Sequence, residues 1–167
     1  MYPLQDLIKT LDLQPHPEGG FFKETYRSDG MISKTCLPDV FKSERHYSTG
    51  IYYLLESNDF SAFHKINQDE MWHFYLGAPL ELTMISDQGV LTMVTIGNDI
   101  LNDQVLQFVV PKNYWFAAKV STPNSFSLLG CTVAPGFDFQ DFTLASRGSL
   151  TAKFPQHRAI IKTLTRQ

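Results

Sequence analysis

The chain reads as an all-β protein, a barrel or sandwich of short strands with one helix before it and a shorter one after it. Three observations predict this. Aromatic residues fill 13% of the 167 positions, and aromatic side chains suit a pleated, half-buried surface. Between Tyr47 and Val133, apolar runs of strand length follow one another almost without helical spacing. Turn residues separate those runs at roughly 8–12-residue intervals, the rhythm of a sandwich or barrel.

Taken in order, residues 3–13 predict a helix, because Leu4, Leu7, Ile8 and Leu11 recur on one face. The segment Q-P-H-P-E-G-G (14–20) stops it with two prolines and a glycine pair that opens a turn. Glu18 is read there as a hydrogen-bonding partner across the turn, with a role at a pocket rim as the alternative. The period then changes to two. Phe22, Glu24 and Tyr26 share one face of a strand, and Phe21, Lys23, Thr25 and Arg27 share the other. The polar set suits solvent, which turns Glu24 and Tyr26 inward. Ser28 to Arg45, with Gly30 and Pro38, reads as a loop. Strands are expected near 47–56, 60–66, 69–76, 79–86, 90–96, 104–110, 113–120 and 125–133. Pro135-Gly136 opens an irregular segment, and a short helix near 155–165 carries Ile160, Ile161 and Leu164 on its apolar side.

Composition narrows the function classes. Hydrophobic content of 43% against 19% charged excludes a disordered chain. The net charge of −3 and the lack of a basic cluster argue against a nucleic-acid partner. No apolar run approaches the roughly 18 residues of a membrane span. The N-terminus shows no basic segment followed by an apolar one, so no secretory signal is expected. With Cys36 and Cys131 as its only cysteines, the chain is expected to be cytoplasmic with both reduced. One domain over residues 1–167 is expected.

The chemistry concentrates between Phe60 and Leu80, where His64, Asp69, Glu70 and His73 lie inside an aromatic and aliphatic run. Ionisable groups in such a setting are either satisfied by partners or used. Glu70 followed by Gly77 matches the E-x6-G half of the first cupin motif, and Pro111 in V-V-P-K-N-Y-W-F matches the proline of the second. The chain as a whole resembles the Cupin_5 family. Four stretches carry the resemblance: H-P-E-G-G-F-F-K-E-T-Y-R-S (16–28), F-H-K-I-N-Q-D-E-M-W-H-F-Y-L-G (63–77), V-P-K-N-Y-W-F-A-A (110–118) and G-C-T-V-A-P-G-F-D-F-Q-D-F (130–142). The resemblance implies a cupin-type double-stranded β-helix, or jelly-roll barrel, commonly a homodimer, with a small-molecule pocket in the barrel mouth. It implies no reaction, since this fold hosts many.

Many cupins hold a divalent metal with three histidines and a glutamate. Here Glu70 keeps its place, and His64 keeps its own only if the turn is one residue longer. Phe116 stands where the last histidine belongs, and strand parity puts His73 on the face opposite Glu70. The expectation is therefore no cofactor, with a divalent metal on His64 and Glu70 as the alternative. The metal-free reading pairs His64 with Glu70 as a general base, with Tyr26 as acid. Glu24, Trp72, Trp115 and Asp141 are the candidate ligand-binding residues, Trp115 serving as a flat wall. Cys131 is read as a buried small side chain rather than a nucleophile. Three functions are consistent with the resemblance: a metal-independent isomerase- or epimerase-like enzyme acting on a small polar, sugar-like metabolite, by analogy with the sugar-nucleotide epimerases of the cupin superfamily, a non-catalytic metabolite binder, and a metal-dependent oxygenase or isomerase. A homodimer is expected, with Met71, His73 and Tyr75 against a partner or against the first helix.

Overall fold

A computed structural model describes residues 3–166. The ends of the expected single-domain span, residues 1–2 and 167, lie outside the described residues. In chain order the elements are α1 (Leu4–Thr10), β1 (Gln14–Pro15), β2 (Phe21–Arg27), β3 (Met31–Ile32), β4 (Arg45–His46), β5 (Thr49–Glu56), β6 (Phe60–Lys65) and β7 (Asp69–Gly77). They continue with β8 (Leu80–Ile85), β9 (Leu91–Ile96), β10 (Gln107–Val110), β11 (Trp115–Val120), β12 (Phe126–Ala134), β13 (Thr143–Leu144), α2 (Arg147–Lys153) and α3 (Arg158–Thr163).

Two sheets form the body. One has six strands in the order β1-β2-β5-β12-β7-β10, the other five in the order β13-β6-β11-β8-β9. The named strands pair antiparallel, and the sheets stack into a flattened jelly-roll barrel. Alternation along each strand decides what fills it. Tyr53, Leu55, Trp72, Leu82, Phe116 and Leu129 point inward and form the central core. Their neighbours point outward into two satellite clusters. Leu54 and Leu128 meet Leu4, Leu7 and Ile8 of α1. Phe63 and Ala117 meet Leu150, Phe154 and Ile161 of the C-terminal helices. Each helix thus covers an apolar sheet face that would otherwise stand in water.

The eight expected strands are present with their ends moved by a few residues, most at β10, which starts at Gln107. The first helix ends earlier than its apolar spacing suggests, because Asp12 takes a left-handed turn at φ 52° that swings Leu13 into the core. Ser28 to Arg45 is not all loop: β3 and β4 pair across it, with a 3-10 turn at Lys34–Cys36 between them. The expected C-terminal helix is two helices, since α2 forms before Phe154 and Pro155 interrupt it. Among the described residues no helix is long and apolar enough to cross a membrane.

Candidate active site

One end of the barrel holds a cavity of about 220 Å³. Its polar floor comes from three segments. The H-P-E-G-G turn brings His16 and Glu18, β6 brings His64, and β7 brings Glu70. The turn is built for close approach. Gly19 has φ 120°, and a side chain there would collide with the Phe60 carbonyl. The Tyr53 hydroxyl donates to Gly19 O at 2.9 Å, the Ala62 N–H to Glu18 O at 2.8 Å, and Arg166 reaches Glu18 O and Phe60 O. These bonds set the Glu18 side chain, only 5% exposed as a residue, against β6.

Glu18 then makes the contact expected of Glu70. Its Oε2 lies 3.0 Å from His64 Nε2, and its Oε1 accepts from Ser61 Oγ at 2.9 Å. The other imidazole nitrogen of His64, Nδ1, sits 2.8 Å from the Ala62 carbonyl. A carbonyl only accepts, so Nδ1 carries a proton and Nε2 of the neutral ring is an acceptor. Burial holds His64 down at about 4 and pushes Glu18 up. Both directions favour a neutral pair, in which the Glu18 carboxyl donates its proton to His64 Nε2. His16 completes the turn's contribution. Its Nδ1 accepts the Glu18 N–H at 3.4 Å, and burial also keeps its basicity low.

Glu70 stands apart from this pair and has no hydrogen bond to His64. Burial first, and the nearby Glu18 carboxyl second, push it up to about 8. The Cys131 thiol and the Trp72 indole face it. Aromatic rings line the rest of the cavity. Phe22 meets the His16 ring edge-on at 4.7 Å, and Phe142 lies 5.3 Å from the His64 ring, while Phe116 packs behind that ring at 4.0 Å in the core. Phe137 and Phe139 close the side formed by the loop after β12. Glu24 and Arg27 sit half-exposed at the mouth, joined by bonds of 2.9 and 2.7 Å.

Four of the seven residues expected from the sequence line the cavity: Glu24, His64, Glu70 and Trp72. Three do not. Tyr26 is 55% exposed, because an extra residue, Thr25, bulges out between Glu24 and Tyr26 and turns the tyrosine to solvent. Trp115 is adjacent to the inward Phe116, so alternation sends it outward to the C-terminal helices. Asp141 lies behind the wall. It takes two 2.7 Å bonds from Arg45 and one of 2.8 Å from Gln68, anchoring the loop that carries Phe137 and Phe139. His16, Glu18 and Arg27 were not expected to be central. The long reach of the glycine turn to β6 is not visible in strand periodicity, although H-P-E-G-G is one of the four stretches of the resemblance. His73 faces outward as parity requires, between Thr132 and Gln107.

The donors do not fit a divalent metal. Both His64 nitrogens are engaged, the Phe116 ring fills the third histidine place, and among the described residues no three His, Cys, Asp or Glu side chains converge as ligands.

Residues 5–145 match the family model described as Cupin superfamily (DUF985). The chain belongs to the Cupin_5 family. Uncharacterized protein YML079W of Saccharomyces cerevisiae is 34% identical over 149 residues, covering 84% of this Cupin_5 chain and 74% of the yeast protein. The crystal structure of protein SO0799 from Shewanella oneidensis superposes with a TM-score of 0.90 at 39% identity, over 99% of both chains. A hypothetical protein from Leishmania major gives a TM-score of 0.90 at 30% identity, over 99% of this chain and 100% of its own. The Cupin_5 barrel is therefore shared across most of the length of these chains.

Proposed function

We propose that the chain is a metal-independent enzyme of isomerase or epimerase type that moves a proton on a small, polar, sugar-like metabolite in the barrel pocket. One observation carries this reading: Glu70 is a buried pocket carboxyl raised to about 8, so its acid and carboxylate forms both exist near neutral pH. As carboxylate it takes a proton from a carbon of the bound molecule. The Glu18 carboxyl, hydrogen-bonded to His64, returns one, and exchange with water restores both. Tyr26 has no part in this, being outside the cavity. The aromatic walls hold the ligand body and exclude water.

The test is solvent exchange in heavy water. Wild-type protein incubated with pooled small metabolites is expected to wash deuterium into one carbon position of its substrate, seen by mass spectrometry, and E70Q is expected not to. Equal exchange in E70Q would sink the assignment.

A non-catalytic binder is the second reading, favoured by His64 having both nitrogens already bonded. It predicts a ligand that raises the melting temperature and is recovered with no deuterium. Dimerisation belongs to the proposal too. Met71, Tyr75 and Val109 lie exposed on the outer face of the six-stranded sheet, beyond the part α1 covers. A monomeric mass by light scattering at micromolar concentration contradicts it. A cytoplasmic setting accords with two free thiols, Cys36 exposed and Cys131 buried.

A further inference from the structure

The cavity holds an imbalance of charge-bearing groups. Glu18 and Glu70 are both buried within it, and among the described residues no lysine lines it. The one guanidinium there among the described residues, Arg27, already gives Nε and one terminal nitrogen to Glu24, and that same nitrogen reaches Phe137 O. His16 and His64 are held neutral by burial. Asp138, the remaining acid of the lining, lies by Arg27 and accepts the Gln140 N–H at 2.8 Å. Two buried carboxyls thus have no cation to meet, a situation that proteins avoid unless the groups stay protonated or a cation arrives.

Two further features point to arrival. The Trp72 indole N–H is buried on the cavity wall near Glu70, yet it makes no hydrogen bond of ordinary geometry to that carboxyl or to any other acceptor. It and the Cys131 thiol are donors facing Glu70, and donors stabilise a carboxylate rather than a carboxylic acid. The surrounding walls are the π-faces and edges of Phe22, Tyr53, Trp72, Phe137, Phe139 and Phe142. Aromatic walls with carboxylates at one end are the chemistry that recognises an ammonium group. The same inventory disfavours anions beside the two buried carboxyls, because the one charged donor left over, the second terminal nitrogen of Arg27, sits at the mouth next to Glu24.

We propose that this pocket takes a small organic cation: a compound with a protonated amine seated between Glu18 and Glu70, a compact ring-shaped body against the aromatic walls, and neither carboxylate nor phosphate. The proposal rests on the reading of this cavity as the ligand site and narrows its substrate class. A consequence is proton release. Glu70, with Glu18, His16, His64 and the Cys131 thiol around it, is mostly protonated at neutral pH, and an arriving ammonium ionises it.

Three probes of nearly equal shape separate the alternatives: cyclohexylammonium, cyclohexanol and cyclohexanecarboxylate. Each is titrated near neutral pH while the indole resonances of Trp72 and Trp115 are followed by NMR. Cyclohexylammonium is expected to shift Trp72 and not Trp115, and to bind about tenfold or more tighter than cyclohexanol. It should also release protons, read as a calorimetric enthalpy that changes with the buffer's ionisation heat. The carboxylate is expected to bind most weakly. E70Q should remove the ammonium's advantage while leaving cyclohexanol unchanged. Cyclohexanol or the carboxylate binding as tightly as the ammonium overturns the charge assignment and leaves the pocket reading standing. So does an ammonium advantage that survives in both E70Q and E18Q. No Trp72 shift with any probe overturns the pocket reading and this proposal together.

Discussion

Two buried polar clusters lie a few residues apart in this barrel, and they are built in opposite ways. Behind the pocket wall, Asp141 is wrapped by Arg45, Gln68 and Asn67, and the spare Arg45 nitrogen goes to Ser43 and the Glu44 carbonyl. Charge meets charge, and the donors find acceptors. Inside the pocket, Glu18, Glu70, His16 and His64 share one cavity whose one lysine or arginine among the described residues, Arg27, is paired with Glu24 at the mouth, and burial alters the proton affinity of all four. The first arrangement is what a fold needs to hold a loop in place. The second is more than holding requires, and perturbed groups gathered in a cleft mark a place where chemistry or binding is done.

The largest expected effect strikes the satisfied cluster. Arg45→Met leaves Asp141 buried without its cation, and a loss of about 3–5 kcal/mol is expected in urea unfolding. A loss below about 1 kcal/mol would mean the clamp is dispensable and the contrast false.

The unsatisfied cluster should instead reveal itself through pH. Glu70 is raised in the folded state, so its contribution is fully present below its ordinary value of 4.5 and is lost as pH rises through about 8. His64 is depressed, so its contribution is present above 6.5 and is lost as pH falls toward about 4. Between about 4.5 and 6.5 the two offset one another. Above that, stability is expected to decline by a few kcal/mol toward pH 9, and E70Q should flatten the decline. A wild-type melting temperature that stays level from pH 6.5 to 9 would contradict the burial of an unneutralised carboxyl.

A smaller effect separates the two tryptophans. Trp115→Ala is expected to reduce stability by about 2 kcal/mol through lost packing against the C-terminal helices. It should leave cyclohexylammonium affinity unchanged, whereas Trp72→Phe weakens binding of that probe. The smallest effect is expected at Tyr26, where Tyr26→Phe should stay within about 0.5 kcal/mol and leave solvent exchange intact. A lost activity there would return the tyrosine to the site.

Much of the barrel was readable in advance because alternation and turn residues are local. The face of β7 illustrates this: Glu70 and Trp72 point inward and His73 outward, as a period of two requires. The same rule, applied to neighbours, would have set Trp115 against Phe116 and turned only one of them inward. Tyr26 was misplaced for a different reason. A bulge depends on the pairing of β2 with β5, and nothing within residues 21–27 announces it. Asp141 was recognised as an acid in an aromatic loop, but its partner Arg45 lies 96 residues earlier.

By itself the sequence determined the strand rhythm, the jelly-roll resemblance, and the presence of His64, Glu70 and Trp72 on inward faces, since each follows from local periodicity or spaced motifs. Tertiary structure alone decided which carboxyl meets His64. That partner is Glu18, carried across by a glycine turn fastened to β6, and no spacing along the chain encodes such an approach. It also decided the chemistry's electrical character. Only when the strands close do Glu18 and Glu70 find themselves buried together with the nearby arginines already engaged, and a proton affinity is set by those surroundings rather than by the residue's name.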